Sequence, residues 1–411
     1  MLMTTDDYRE SLRSMAPKVF VNGRLIASVA DEPLLAPGIA ATGVLYDLAH
    51  VAEHRPLMTA VQRTSGKPVN RMLHINETSQ DLLFKLEAVR LACSTAGCAM
   101  RYLSHDAVNA IFQATRVCDD DKGTDYHQRF VAYLHAMQDK DYTLGVAMTD
   151  AKGDRSKRPH LQTNRDAYVH VEERRTEGIV ISGTKAIITG APYAHELLVM
   201  PSRTMSREDA DFAVCCAIPL DAPGVTIAAR PAGRPASSQG GENAATYSAR
   251  YGQSTGAAIL EDVFVPWDRV FLAGEWEHSG LLTTNFAESG GFLKTDPALP
   301  RPDIQLHFVI GLVDDHARKM HFATGYSLHI CVLRPKSRGS VGLYDADPMS
   351  APRIDPQYLL DADDMEALLK GVKLSRRIMD ASAFQALAPT ELYTENVHDD
   401  AGLREHIRQR A

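Results

Sequence analysis

No apolar run in this 411-residue chain approaches the roughly 18 to 20 residues that cross a bilayer. Its first ten residues, MLMTTDDYRE, lack the basic and apolar regions of a secretory signal. No membrane association is expected, and a cytoplasmic location is the default. Basic tracts are also missing, and the net charge is -8, which disfavours a nucleic-acid surface built on clustered Lys and Arg. Cysteine is scarce: Cys93, Cys98, Cys118, Cys215, Cys216 and Cys331 show no CxxC and no repeated spacing, so reduced thiols are expected rather than a disulfide framework. Internal repeats, low-complexity tracts and Pro- or Ser-rich linkers are absent too. What remains is an ordinary globular balance of 45% apolar and 23% charged residues, in a chain long enough for two or three domains.

Three segments differ in their periodicity. After the candidate N-cap Ser79, the residues Leu82, Leu83, Leu86, Val89 and Cys93 recur at three- and four-residue steps, predicting a helix with one apolar face. A second helix is predicted from Asp106. A third starts near Thr124, with Tyr126, Phe130, Leu134 and Met137 facing one way. Residues 1–140 therefore read as a helical domain. After Asp141 the period drops to two: YVHVEERRTEGIVISG alternates and turns at Glu177 and Gly178, and ELLVMPS, DFAVCCAIPL, VTIAAR and AAILEDVFVP follow as short strands. Residues 141–280 read as an antiparallel β-barrel or sandwich. Residues 281–411 read as an α+β segment, with strands in DIQLHFVIGL and YSLHICVL and an amphipathic helix capped by Asp363 through Met365, Leu368, Leu369, Val372 and Ile378. The fold class is thus multidomain α+β.

Between the helical and β segments lies AMTDAKGDR at 147–155, which packs a hydroxyl, two carboxylates and two cations into nine residues. A loop at such a junction is a usual place for a ligand cleft. A solvated surface loop is the competing reading.

Residues 1–282 resemble the 4-hydroxyphenylacetate 3-hydroxylase family, which includes 4-hydroxybutyryl-CoA dehydratases and shares its fold with acyl-CoA dehydrogenases. The resemblance is carried by GTDYHQRF at 123–130, the AMTDAKGDR loop, GTKAIITGAPYAHE at 183–196 and VFVPWDRVFLAGEW at 263–276. It implies a bound flavin, FAD, a small-molecule substrate, a flavin reductase partner and a homo-oligomer. By resemblance, Met148, Thr149, Lys152, Asp154 and Arg155 border the flavin and its phosphates, and Thr189 faces the ring or the substrate. Cations suit a pyrophosphate, and hydroxyl donors can tune the electron affinity of a flavin ring.

The branches of the family differ in their working residues. The aromatic hydroxylases place an Arg, a Tyr and a His where this chain has Leu103, Ala107 and Val146, none of which ionises or hydrogen-bonds through its side chain. Arg101, Tyr102 or His105, within two residues of Leu103, could substitute, so Arg101, Tyr102 and Thr189 are the candidate catalytic residues for phenol monooxygenation. The dehydratases bind a [4Fe-4S] cluster through a CxxxC pair. Here Cys98 matches the first ligand but Tyr102 stands at the second, and a phenol is a poor replacement for a thiolate. No metal site is expected. The alternative activity is flavin-dependent dehydration or dehydrogenation of a CoA ester.

Residues 283–411 resemble the C-terminal part of glucose-methanol-choline (GMC) oxidoreductases, through TTNFAESGGFLKT, PDIQLHFVIGLVDDH, GYSLHICVLRPKSRGSVGL and DADPMSAPRIDPQYL. That family uses a GxGxxG dinucleotide motif, absent here, and a catalytic His in an HPVGT-like motif expected where the sequence reads IRQRA. His316, His321 and His329 do not occupy the catalytic position and read as structural or surface residues. The chain looks like two truncated flavoenzymes joined near Leu282 to Asn285, which also admits a GMC-type fragment or a fusion product without catalysis.

Overall fold

The computed structural model describes residues 2–410 except 63, 99, 152, 234–248, 283–286, 310, 313–324, 348, 386 and 388. The chain divides into two compact units, Met1–Thr283 and Thr284–Ala411. No described helix is long and apolar enough to cross a membrane.

Unit one contains helices α1 (Thr5–Arg13), α2 (Ala36–Asp47), α3 (Arg55–Met58), α4 (Ser79–Ala96), α5 (Tyr102–Lys122) and α6 (Tyr126–Lys140). Its strands are β1 (Lys18–Val21), β2 (Arg24–Leu25), β3 (Thr59–Val61), β4 (Pro68–Asn70), β5 (Leu144–Ala147), β6 (His170–Arg174), β7 (Gly178–Thr189), β8 (Glu196–Val199), β9 (Val214–Pro219), β10 (Val225–Ala229), β11 (Thr255–Pro266) and β12 (Val270–Ala273). Six of these form a sheet in the order β2-β1-β10-β11-β7-β6, four form a second in the order β12-β9-β8-β5, and β3 pairs with β4. The predicted hairpin around Glu177 is present as β6 and β7.

The expected antiparallel barrel is corrected in two respects. Among the described residues the two large sheets are open, with edges at β2 and β6 and at β12 and β5. Each sheet also contains one parallel pair: β1 lies on β10 with Val19 opposite Ile227, and β5 lies on β8 with Val146 opposite Leu198. Parallel neighbours need a long crossover, and for β1 and β10 it is the whole chain between them. Period-two alternation reveals strands but not which distant strand each one meets. So residues 18–25, inside the segment read as helical, belong to the large sheet.

Helix α4 is a second correction. Its start is well defined by a capping box, in which Thr78 and Asp81 satisfy each other's backbone N–H groups. Its buried face, however, is Ala88, Ala92 and Ala96, while Leu82, Leu83 and Leu86 are 47%, 40% and 48% exposed and Cys93 is exposed. The small alanines allow close packing, and the leucine face is turned outward. Helix α6 meets expectation, burying Tyr126, Phe130, Leu134 and Met137, with Phe130 set edge-on to Phe271 at 5.1 Å. One continuous buried cluster runs from Tyr8 through Ile39, Val108, Phe130 and Leu198 to Val263 and Leu282.

Unit two has a three-stranded antiparallel sheet of β13 (Ala287–Leu293), β14 (Ile304–Val309) and β15 (Ser327–Val332), and a hairpin of β16 (Ser340–Gly342) and β17 (Arg353–Asp355). Its helices are α7 (Ala362–Met379), α8 (Ser382–Gln385) and α9 (Asp400–Arg410). The cap of α7 is Asp361, whose carboxylate accepts from the Asp363 N–H. Gly371 lets α7 approach the sheet, since a Cβ there would meet Ile330 at 2.8 Å. A small core of Met365, Leu369, Leu403 and Ile407 joins α7 to α9.

Candidate functional site

The AMTDAKGDR loop leaves the end of β5 and is tied to β7. Asp150 bridges Lys185 across the backbone, the Thr149 carbonyl accepts from the Ala186 N–H at 2.7 Å, and the Ala151 N–H donates to Thr184. Side chains reinforce this register. The Lys185 ammonium lies 2.7 Å from the Asp150 carboxylate, with both groups almost completely buried, and also donates to the carbonyls of Met148 and Met200. Burial pushes the lysine pKa down and Asp150 works against that shift. Asp150 also accepts the Val169 N–H at 3.1 Å, tying the loop to the approach to β6.

Beyond Lys185 the strand is irregular. The pairing with β11 steps from Lys185–Ala258 to Ile188–Gly256, so β7 carries one extra residue. Ile187 takes a left-handed φ of 57°, rare for a β-branched side chain, and is 74% exposed. Two residues on, Thr189 ends the strand opposite Thr255. Thr149 and Thr189 are both half-buried, and neither hydroxyl has a hydrogen-bond partner among the described residues.

The structure thus brings Met148 and Thr149 alongside the bulged end of β7 that Thr189 closes. Lys152 lies outside the described residues. Asp154 is exposed and shapes its own turn: its carboxylate accepts from the Ser156 N–H and hydroxyl, which hold its pKa below the usual value. Arg155 is exposed, without an ion pair among the described residues.

The other candidates separate. Arg101, a candidate catalytic residue, is a fully buried core residue. Its Nη2 donates to the Asp141 carboxylate at 2.7 Å and to the Tyr142 carbonyl, and its guanidinium lies over the Tyr46 ring at 4.2 Å. Burial alone would lower its pKa, and Asp141 reverses the direction. His105 is also buried, bonded to the Arg71 carbonyl and Asn76, and burial pushes it down to about 4. Tyr102 opens α5 and is 37% exposed. Cys98 is half-buried, and burial raises its thiol pKa. Leu103 and Val146 are half-buried and Ala107 is buried. In unit two, His316 and His321 lie outside the described residues, and His329 stands opposite His307 on β15.

Sequence reading missed Lys185. A lone lysine in a β-branched run carries no local sign of burial; its contact with Asp150 exists only once the loop folds back. His195 was missed for the same reason. It stacks on Tyr142 at 4.0 Å, accepts the Thr143 N–H at Nδ1 and meets the Ser11 hydroxyl at Nε2, and burial pushes it down to about 3.

Residues 4–272 match the family model described as 4-hydroxyphenylacetate 3-hydroxylase N terminal. This chain belongs to that family. Within the 4-hydroxyphenylacetate 3-hydroxylase family it is similar to 4-hydroxybutyryl-CoA dehydratase/vinylacetyl-CoA-Delta-isomerase of Clostridium aminobutyricum, 35% identical over 70% of this chain and 59% of that protein. The chain therefore spans about three fifths of that relative's length. Among solved structures, the oxygen-tolerant archaeal 4-hydroxybutyryl-CoA dehydratase of N. maritimus superposes with a TM-score of 0.65 at 36% identity, over 69% of this chain and 56% of that one. The oxygenase component of 4-hydroxyphenylacetate 3-monooxygenase complexed with FAD shares the fold, with a TM-score of 0.57 at 22% identity over 68% of this chain and 57% of that one. Residues 335–411 match the GMC oxidoreductase model. The chain is also 49% identical over 106 residues to an alcohol dehydrogenase [acceptor] of Pseudomonas putida, 26% of this chain and 19% of that protein.

Proposed function

We propose that unit one binds FAD along the bulged end of β7 and acts as a flavin-dependent oxidoreductase on a small acyl thioester. The observation that carries this reading is that two half-buried hydroxyls, Thr149 and Thr189, have no hydrogen-bond partner among the described residues, while the bulge of β7 leaves the apolar Ile187 exposed. Such a surface suits a planar ring with polar edges, so the residues present fit the group. Thr149 and Thr189 would hold the ring and Arg155 the phosphates. FAD would supply a two-electron acceptor. Asp150 and Lys185 fix where the Met148 carbonyl and Thr149 stand.

For the substrate, the aliphatic side chains of Leu103, Ala107 and Val146 favour an unactivated carbon chain over a phenol, which needs a partner for its hydroxyl. The higher identity to the dehydratases supports the same choice. Phenol monooxygenation with a separate flavin reductase is the second reading, favoured by the exposed Tyr102 beside Leu103. The test begins with purified protein and added FAD. A flavin absorbance band that co-purifies or titrates in, and a Thr189→Ala variant that binds at least about tenfold more weakly, are expected; a protein that stays colourless ends the reading. Turnover of 4-hydroxybutyryl-CoA, against oxygen uptake with reduced FAD and 4-hydroxyphenylacetate, then separates the two substrates.

A further inference from the structure

Away from the loop's contacts with β7, β6 and the turn before it gather three metal-ligating groups. Asp166, His170 and Glu172 each direct one donor atom inward, and the three atoms lie within 4.8 Å of one another. They are the one such group of three or more His, Cys, Asp or Glu among the described residues. His170 Nε2 is 2.7 Å from a Glu172 oxygen and 4.0 Å from an Asp166 oxygen. The other ring nitrogen, Nδ1, is 2.9 Å from the Tyr168 carbonyl.

That last contact decides the chemistry. A carbonyl oxygen only accepts, so Nδ1 carries the proton and donates. Nε2 then faces carboxylate oxygens, which also accept. A neutral ring would set lone pair against lone pair at 2.7 Å. Either a second proton or a cation must sit between them. Metal-bound histidines characteristically donate their other ring N–H to a backbone carbonyl, which fixes the tautomer and aims the ligating lone pair. His170 has that arrangement, with its side chain fully buried and its ring beside Phe212 at 5.4 Å.

Neighbouring side chains orient Glu172. The outer Glu172 oxygen is 3.4 Å from Arg165, which also reaches Asp211 at 3.2 Å, and Arg174 approaches Asp211 at 3.8 Å. Arg165 therefore steadies Glu172 from outside and leaves its inner oxygen toward His170. Asp166 and Glu172 are 59% and 37% exposed, which gives the ion a route in. Donors around a tetrahedral zinc at about 2.1 Å stand roughly 3.4 Å apart. The observed 2.7 and 4.0 Å fall on either side of that spacing, within reach of small rotamer changes.

We propose that Asp166, His170 and Glu172 bind one divalent transition-metal cation, with zinc the best match to one imidazole and two carboxylates and with water completing the coordination. The site is independent of the flavin reading. The test uses the full chain, stripped with chelator and titrated with Zn2+ by calorimetry and with Co2+ by visible absorbance. One saturable Zn2+ site and tetrahedral-type Co2+ bands are expected, with affinity falling at least about tenfold in Glu172→Gln and Asp166→Asn. Both substitutions are at exposed side chains and should leave the fold intact, so the result does not hang on His170→Gln, whose ring is buried. Absence of saturable binding, or variants that bind as tightly as the parent chain, would overturn the proposal and leave a doubly protonated His170 paired with Glu172.

Discussion

The two units keep their charges and their apolar side chains in different places. Besides exposed pairs such as Lys67–Asp139 at 63% and 52%, unit one buries Lys185–Asp150, with side-chain exposures of 2% and 1%, and Arg101–Asp141, with 0% and 0%. Unit two places its pairs in solvent, as in Lys373–Asp400 at 47% and 48% and Arg404–Glu366 at 31% and 48%. Apolar groups show the reverse. Unit one closes one core from Tyr8 to Leu282, whereas unit two leaves Leu343, Met349, Tyr358 and Leu360 more than 70% exposed. Buried charges pin particular distant segments together, because a mispaired buried ion is heavily penalised. Solvated pairs permit many arrangements, so specificity in unit two rests on a few apolar contacts between α7, α9 and the sheet.

The largest way to break this contrast is Lys185→Met, which leaves the Asp150 carboxylate buried without its partner. It should cost unit one about 3–5 kcal/mol, read from denaturant unfolding, and adding Asp150→Leu should restore part of the loss. Acid is the next lever. Burial holds the pKa of His195 and His105 down to about 3 and about 4, from 6.5. The unfolded chain then binds protons that the folded one refuses, so their contribution is complete above pH 6.5 and lost as pH falls toward the folded values. At pH 5 each costs unit one up to about 2 kcal/mol, and His195→Gln should flatten the pH profile of its melting temperature.

Leu369→Ala, in the small core of unit two, should cost that unit about 2–4 kcal/mol, whereas Leu343→Ser at an exposed site should change stability by under about 0.5 kcal/mol. On α4, Ala92→Leu should cost about 1–3 kcal/mol through overpacking, while Leu86→Ala on the outward face should cost less than about 1 kcal/mol; the opposite ranking would restore the helix face expected from sequence. Lys373→Ala, at a solvent-exposed pair, should shift the unfolding midpoint only slightly, and the shift should vanish in high salt.

Local signals carried the sequence reading where the physics is local. Period two exposed the β6–β7 hairpin, and the spacing of Tyr126, Phe130, Leu134 and Met137 gave the buried face of α6. The reading failed where partners lie far apart. The apolar periodicity of α4 is real, but the alanines rather than the leucines meet the core. Nothing in the sequence around Arg101 shows its burial against Asp141, and nothing around Lys185 shows its burial against Asp150. Asp166, His170 and Glu172 are close enough in sequence to have been noticed, yet only the ring orientation set by the Tyr168 carbonyl distinguishes them from an exposed turn.

The parallel seat of β1 against β10 has a consequence for how the protein is made. Val19 must wait for Ile227 before its strand has that neighbour. At about 5–20 residues per second, translation of the intervening chain takes roughly 10 to 40 s. Through that interval β1 has only the short β2 beside it, with Phe20 opposite Leu25, and its other edge stays open, so nascent chains should depend on early capture by α1 and α2, or by a chaperone, to escape clumping.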